Sequence, residues 1–194
     1  HPELIGFATL HPGLEDVQGE VDRIIGMGLR GIKLHPEFQN FAIDDEDMIP
    51  IYKAAEGRLP ILFHMGDANR DSSSPVRLAR IIDKFPELVV IAAHFGGYHM
   101  WDLSCRYLVG KRIYMDTSSS LAYISPEKAT YMIRKHGADK MLFGSDYPMW
   151  DHKEELERFL RLQLTEDERR AVLFNNANRL LSGSVKKASD IHYN

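Results

Sequence analysis

His64, His94 and Asp146 each close a short apolar run, and each has a glycine two residues away. The runs read "PILFH", "VVIAAH" and "MLFGSD". Imidazole nitrogens and a carboxylate oxygen are the donors that a divalent ion such as zinc accepts. The neighbouring glycines let an ion or a substrate approach the backbone closely. Two further runs end in the same way. "GIKLH" carries Lys33 and His35 on one face of an extended segment, and "IYMD" carries Tyr114 and Asp116. Each residue alone has an ordinary use. A histidine at a strand end is most often a hydrogen-bonded turn residue, an aspartate caps a turn, and a lysine stem can lie along apolar surface with its head in water. Five successive runs with an ionisable terminus shift the odds towards chemistry.

Six segments read as buried strands: 5–9, 31–35, 60–64, 89–94, 112–116 and 141–146. Several are nearly continuous apolar runs, as expected for parallel strands covered on both faces. Helical patterns fill the gaps. Val17, Val21, Ile24 and Ile25 share a face that Gly28 terminates. Pro50 falls in the first turn or at a kink of the next pattern, and "SSSP" and "SP" place serine caps before Pro75 and Pro126. Thr165 and Glu168 form a capping box for a helix running to Leu181. Strands alternating with helices imply a parallel α/β fold. No Gly-x-Gly-x-x-Gly follows the first segment, so a (β/α) TIM barrel fits better than a dinucleotide-binding sheet. In such a barrel the carboxyl ends of the strands form the active-site face. A full barrel has eight strands and about 250 residues, so the reading is an incomplete barrel over residues 1–182, with two strands expected upstream of His1. Residues 183–194 read as a polar tail.

The bulk numbers exclude other classes. The 194 residues are 44% hydrophobic and 27% charged, the composition of a globular domain. The net charge of -4 and the lack of a basic stripe argue against nucleic acid as a partner. No apolar run has the length of a membrane span. One cysteine, Cys105, rules out an internal disulfide and suits a reducing compartment, so the expected location is cytoplasmic.

The segments "GIKLHPEFQNFAIDDEDMIPIYKAAEGRLPILFHMGD", "AAHFGG", "MLFGSDYP" and "NNANRLL" resemble those of the amidohydrolase-related metal-dependent hydrolases. That group has TIM-barrel folds and includes metal-dependent decarboxylases. The resemblance implies that His64 is the fifth-strand metal ligand. It makes His94 the sixth-strand histidine that ligates a metal or activates water or substrate. Asp146 becomes the eighth-strand aspartate that binds metal and handles a proton. Lys33, with His35, faces the substrate, or Lys33 is carboxylated and bridges two metals. The implied cofactor is a divalent metal, zinc, and the implied partner a small-molecule substrate. The family's first-strand His-x-His does not occur in this sequence, in keeping with the two missing strands. The leading expectation is hydrolysis of an amide, ester or lactone. The alternatives are non-oxidative decarboxylation of an unsaturated or aromatic carboxylate, and a non-catalytic homologue or fragment. An open barrel also exposes strand edges, so homo-oligomer formation is a further expectation. Phe38, Phe41, Tyr98, Trp101, Tyr147 and Trp150 follow strand ends and either line a pocket or pack against the rim. His99, His136 and His152 are expected at the surface or at helix ends.

Overall fold

The computed structural model describes residues 4–182, and the expected tail 183–194 lies outside the described residues. Five short strands form one parallel sheet in sequential order: β1 Ile32–Leu34, β2 Ile61–Phe63, β3 Val90–Ala92, β4 Tyr114–Asp116 and β5 Met141–Leu142. Sequential order without a reversal is that of a barrel arc, whereas a doubly wound sheet switches direction along its order. The segment 5–9 expected as a first strand is reduced to a single bridge, Ala8 to Ile32. Its backbone still runs along β1, with Ala8 N–H donating to Gly31 O at 2.9 Å and Lys33 N–H to Ala8 O at 2.7 Å. A segment with a ladder partner on one side only has little to hold it extended further.

Nine α-helices complete the described residues: α1 Val17–Gly26, α2 Pro36–Gln39, α3 Ile49–Ala55, α4 Pro75–Lys84, α5 Trp101–Tyr107, α6 Pro126–His136, α7 His152–Leu160, α8 Glu166–Arg170 and α9 Asn176–Ser182. The local signals act largely as their chemistry requires. Pro50 and Pro75 sit in the first turns of α3 and α4, and the Ser125 side chain caps α6. Ser74 stands at the cap of α4 but its side chain makes no capping bond. The Thr165–Glu168 capping box is present. The helix expected from 165 to 181 is interrupted by a π turn at Ala171–Asn175. The buried Asn176 anchors the chain just beyond it, donating through Nδ2 to Ala138 O and Met141 O, both at 2.7 Å.

The sheet divides the apolar residues into two sets. Ile32, Leu34, Ile61, Phe63, Val90, Ala92, Met115 and Met141 are fully buried in the main core with residues from α1, α3, α4 and α6. Leu62, Ile91, Tyr114 and Leu142 belong to a smaller cluster with Ala177, Leu180 and Leu181 of α9. The register aligns Lys33 with Leu62, and Leu62 with Ile91. A charged side chain therefore stands in the row that faces the smaller cluster, and it leads to the polar rim.

Candidate active site

Four strand ends bring their polar residues side by side. The His35 ring stacks on His64 with centroids 3.9 Å apart and planes 8° apart. Phe38 covers the other face of His35 at 3.8 Å and 6°, although Phe38 itself is 85% exposed. His64 then turns towards β3. Its Nδ1 lies 3.1 Å from His94 Nε2, with the two rings tilted by 68°.

Strict alternation along β3 puts His94 on the face of Val90 and Ala92, towards the helices. The structure corrects this. The strand ends at Ala92, and His94 and Phe95 take left-handed backbone conformations, φ 60° and 53°. That turn delivers the His94 ring to His64. Trp101 Nε1–H holds it there, donating to His94 O at 3.1 Å. Asp146, Ser119 and His99 are also left-handed, φ 62°, 51° and 56°, so departures from comfortable backbone geometry gather at this rim.

The hydrogen bonds around the two imidazoles determine where their protons sit. His94 Nδ1 is 3.0 Å from the Ser118 carbonyl, and His64 Nε2 is 3.0 Å from the Gly66 carbonyl. A carbonyl can only accept, so both of those nitrogens carry hydrogen. A neutral imidazole has one N–H. The remaining nitrogens, His64 Nδ1 and His94 Nε2, therefore meet lone pair to lone pair at 3.1 Å. Two neutral histidines cannot satisfy that contact between them; a cation can.

Burial favours a neutral ring at His64 and at His35. It lowers the His64 pKa to about 3, assisted by His94, His35 and Lys33 and opposed by the Gly66 carbonyl. His35 is lowered first by burial and then by the charge of Lys33. Lys33 is lowered by burial, against the pull of Asp116 and Asp146.

Asp146 lies at the end of the chain's "GSD" turn, exposed, with Oδ2 accepting from Ser119 Oγ at 2.7 Å. It makes no hydrogen bond to the histidines among the described residues. It joins them as a wall of one cavity of about 310 Å³, together with Lys33, His35 and Trp150. Lys33, His35, His64, His94 and Asp146, the five candidates named from the sequence, all line this one cavity. Of the aromatic residues, Phe38, Tyr98 and Trp150 line it, and Phe41 packs into the core. Tyr147 is exposed beside His152.

Three polar residues at the site escaped the sequence reading. Ser118 and Ser119 lay in a serine run that only suggested a turn. Glu37 follows His35 by two positions, a His-x-Glu spacing that offered a signal. It is buried, and its Oε1 accepts from Ser73 N at 3.0 Å and Ser73 Oγ at 2.6 Å. Its Oε2 has no hydrogen-bond partner and lies 3.6 Å from His35 Nδ1. Donor atoms of His35, Glu37 and His64 all lie within 4.8 Å of one another. The near-parallel stack nevertheless keeps the nitrogens of His35 and His64 in separate planes, so these donors do not converge. The His64–His94 pair does converge, at a spacing that neighbouring donors with bonds of about 2.1 Å span around one ion.

The family model for Amidohydrolase matches residues 2–183. No curated protein matches the chain. Among solved structures, an uncharacterised TIM-barrel protein of Bordetella bronchiseptica superposes with a TM-score of 0.72 at 23% identity. The alignment covers 91% of this chain and 64% of that one. A dihydroxybenzoic acid decarboxylase of Polaromonas, with bound manganese, gives 0.69 at 19% identity, covering 92% and 69%. A proposed 2-pyrone-4,6-dicarboxylic acid hydrolase of Pseudomonas putida gives 0.68 at 20%, covering 95% and 74%. The fold is that of a TIM barrel, of which this chain spans about two-thirds of the relatives' length.

Proposed function

The chain belongs to the amidohydrolase family, and from that membership we propose that it holds one divalent metal ion and hydrolyses a small molecule. The observation that carries the reading is the pair of nitrogen lone pairs, His64 Nδ1 and His94 Nε2, facing each other at 3.1 Å. They need a positive charge between or beside them, and the cavity they border also contains the Asp146 carboxylate. His64, His94 and Asp146 would hold the ion. Bound there, zinc or manganese supplies Lewis acidity, polarising a substrate carbonyl or acidifying a water.

The other residues have work that follows from their own chemistry. Asp146 is exposed to the cavity and spends only one bond on Ser119, so it can take the proton of an attacking water. Lys33, half-buried on the same wall, offers a fixed positive charge to a substrate carboxylate or a developing oxyanion. The His35 ring, clamped between Phe38 and His64, presents a flat polar edge beside it. Phe38, Tyr98 and Trp150 give the same space apolar walls, suited to a planar carboxylated molecule.

Those apolar walls with a half-buried lysine favour a second reading, decarboxylation of an aromatic carboxylate, as the name of the Polaromonas dihydroxybenzoic acid decarboxylase suggests. One experiment separates them. The purified chain is loaded with zinc or manganese, its metal content measured, and a panel of lactones, esters, amides and hydroxybenzoates assayed for bond opening and CO2 release. About one ion per chain with opening of a lactone, ester or amide is the expected result. CO2 release alone would select decarboxylation, and absence of bound metal would overturn both.

A further inference from the structure

We propose that Asp116, acting through Ser118, is a positioning residue that fixes the ring and the tautomer of His94. The inference deepens the metal-site reading above and takes its consequence for ion binding from it. Asp116 closes β4 and is 9% exposed. A single oxygen, Oδ1, receives three hydrogen bonds: from His94 N–H at 3.0 Å, from Ser118 N–H at 3.0 Å, and from the Ser118 hydroxyl. The first two bind the ends of neighbouring strands, β3 and β4, at one atom. The third sets a direction. An oxygen that already accepts two amide hydrogens accepts the hydroxyl hydrogen as well, so Ser118 Oγ has only lone pairs left to offer.

Those lone pairs meet His94 Nδ1 at 2.9 Å, alongside the Ser118 carbonyl at 3.0 Å. Both neighbours accept, so Nδ1 carries the hydrogen and Nε2 presents its lone pair towards His64 and the cavity. Through the hydroxyl, Asp116 thus backs the Ser118 carbonyl in holding the hydrogen on a nitrogen it never touches. Gly144 makes room for this arrangement: a Cβ there would stand 3.1 Å from Ser118 Cβ and 3.4 Å from Asp116 Cγ. The glycine of "GSD" therefore serves the Asp116–Ser118 pair as well as the turn to Asp146.

Asp116→Ala is the decisive variant. It removes the one oxygen that takes the Ser118 hydroxyl hydrogen, whereas an asparagine would keep its carbonyl oxygen towards the two backbone N–H groups and leave the hydroxyl where it is. In the alanine variant the hydroxyl is released to donate to His94 Nδ1, which favours the opposite tautomer. Long-range ¹H–¹⁵N spectra of the imidazoles read the tautomer directly, and zinc affinity is measured by calorimetry with zinc alone. The wild type should show Nδ1–H at His94. D116A should populate Nε2–H and bind zinc about 10–100-fold more weakly, the usual effect of losing the partner that orients a ligating histidine. Ser118→Ala should move affinity in the same direction by less, and Ser118→Thr, which restores the hydroxyl, should recover it. A folded D116A with the wild-type tautomer and unchanged zinc affinity would overturn the proposal. If D116A does not fold, the Ser118 pair decides, and wild-type zinc affinity in S118A overturns it. A wild type that binds no zinc defeats the metal reading, while the tautomer comparison still tests Asp116.

Discussion

Two histidine environments in this molecule each hold a ring whose pKa burial lowers, yet they differ in what surrounds that ring. At the back of the sheet, His136 ends α6 and is 2% exposed. Its Nδ1 accepts from Gly110 N–H at 3.1 Å and its Nε2 donates to Ile113 O at 2.9 Å. One donor and one acceptor satisfy a neutral imidazole completely. At the carboxyl rim, His64 and His94 have carbonyls at their outer nitrogens and only each other between. Burial lowers the pKa of His136 to about 4 and of His64 to about 3, so the shift alone does not separate a structural histidine from a proposed ligand. The polarity of the partners does.

The comparison is sharpened most by His136→Ala. It should cost about 4 kcal/mol, from a cavity and two orphaned backbone groups, while zinc binding stays at its wild-type value. Urea unfolding measures the first and calorimetry the second. A small loss of stability would break the contrast. His64→Ala should do the reverse. Zinc affinity falls about 100-fold, equivalent to about 2.7 kcal/mol, with the urea midpoint nearly unchanged because the facing lone pairs are relieved rather than left unmet.

The smallest effect is one of pH. The folded pKa of His136, about 4, lies below the ordinary histidine value of 6.5. The folded state therefore binds fewer protons, and the contribution of His136 is complete above pH 6.5 and lost as pH falls towards 4. Between pH 7 and pH 5 this amounts to about 2 kcal/mol. The difference between wild type and His136→Gln isolates it: wild-type stability should fall more steeply over that window, and equal slopes would count against it.

The strands were legible because each is an apolar run between glycine, proline or aspartate, and the last capping box because its two residues suffice. The rim was legible as a list of residue types but not as an arrangement. His64 and His94 stand thirty positions apart in sequence, and their contact depends on a left-handed turn that a histidine does not announce. His136 read as a surface or helix-end residue; it ends α6 but is buried, not at the surface, and its partners Gly110 and Ile113 are distant in sequence. Asp116 read as a turn cap, and its bond to Ser118 N–H bears that out. That the same oxygen also holds the neighbouring strand end could not be read from a local pattern. The helix α5 went unannounced because a 3₁₀ turn at His94–Gly96 and a run of aromatic residues hide its start.

The left-handed backbone at Asp146 has a consequence for any attempt to make this protein more robust. For an L-residue that conformation costs about 1–2 kcal/mol, and glycine would adopt it freely. Asp146 is exposed and its side chain returns one hydrogen bond, to Ser119. Selection on heat resistance alone therefore favours Asp146→Gly, discarding the carboxylate proposed above to take a proton. Heat-resistant descendants that keep the aspartate would have to find their gains elsewhere, and their distribution would show which positions at the rim are held by chemistry rather than by folding.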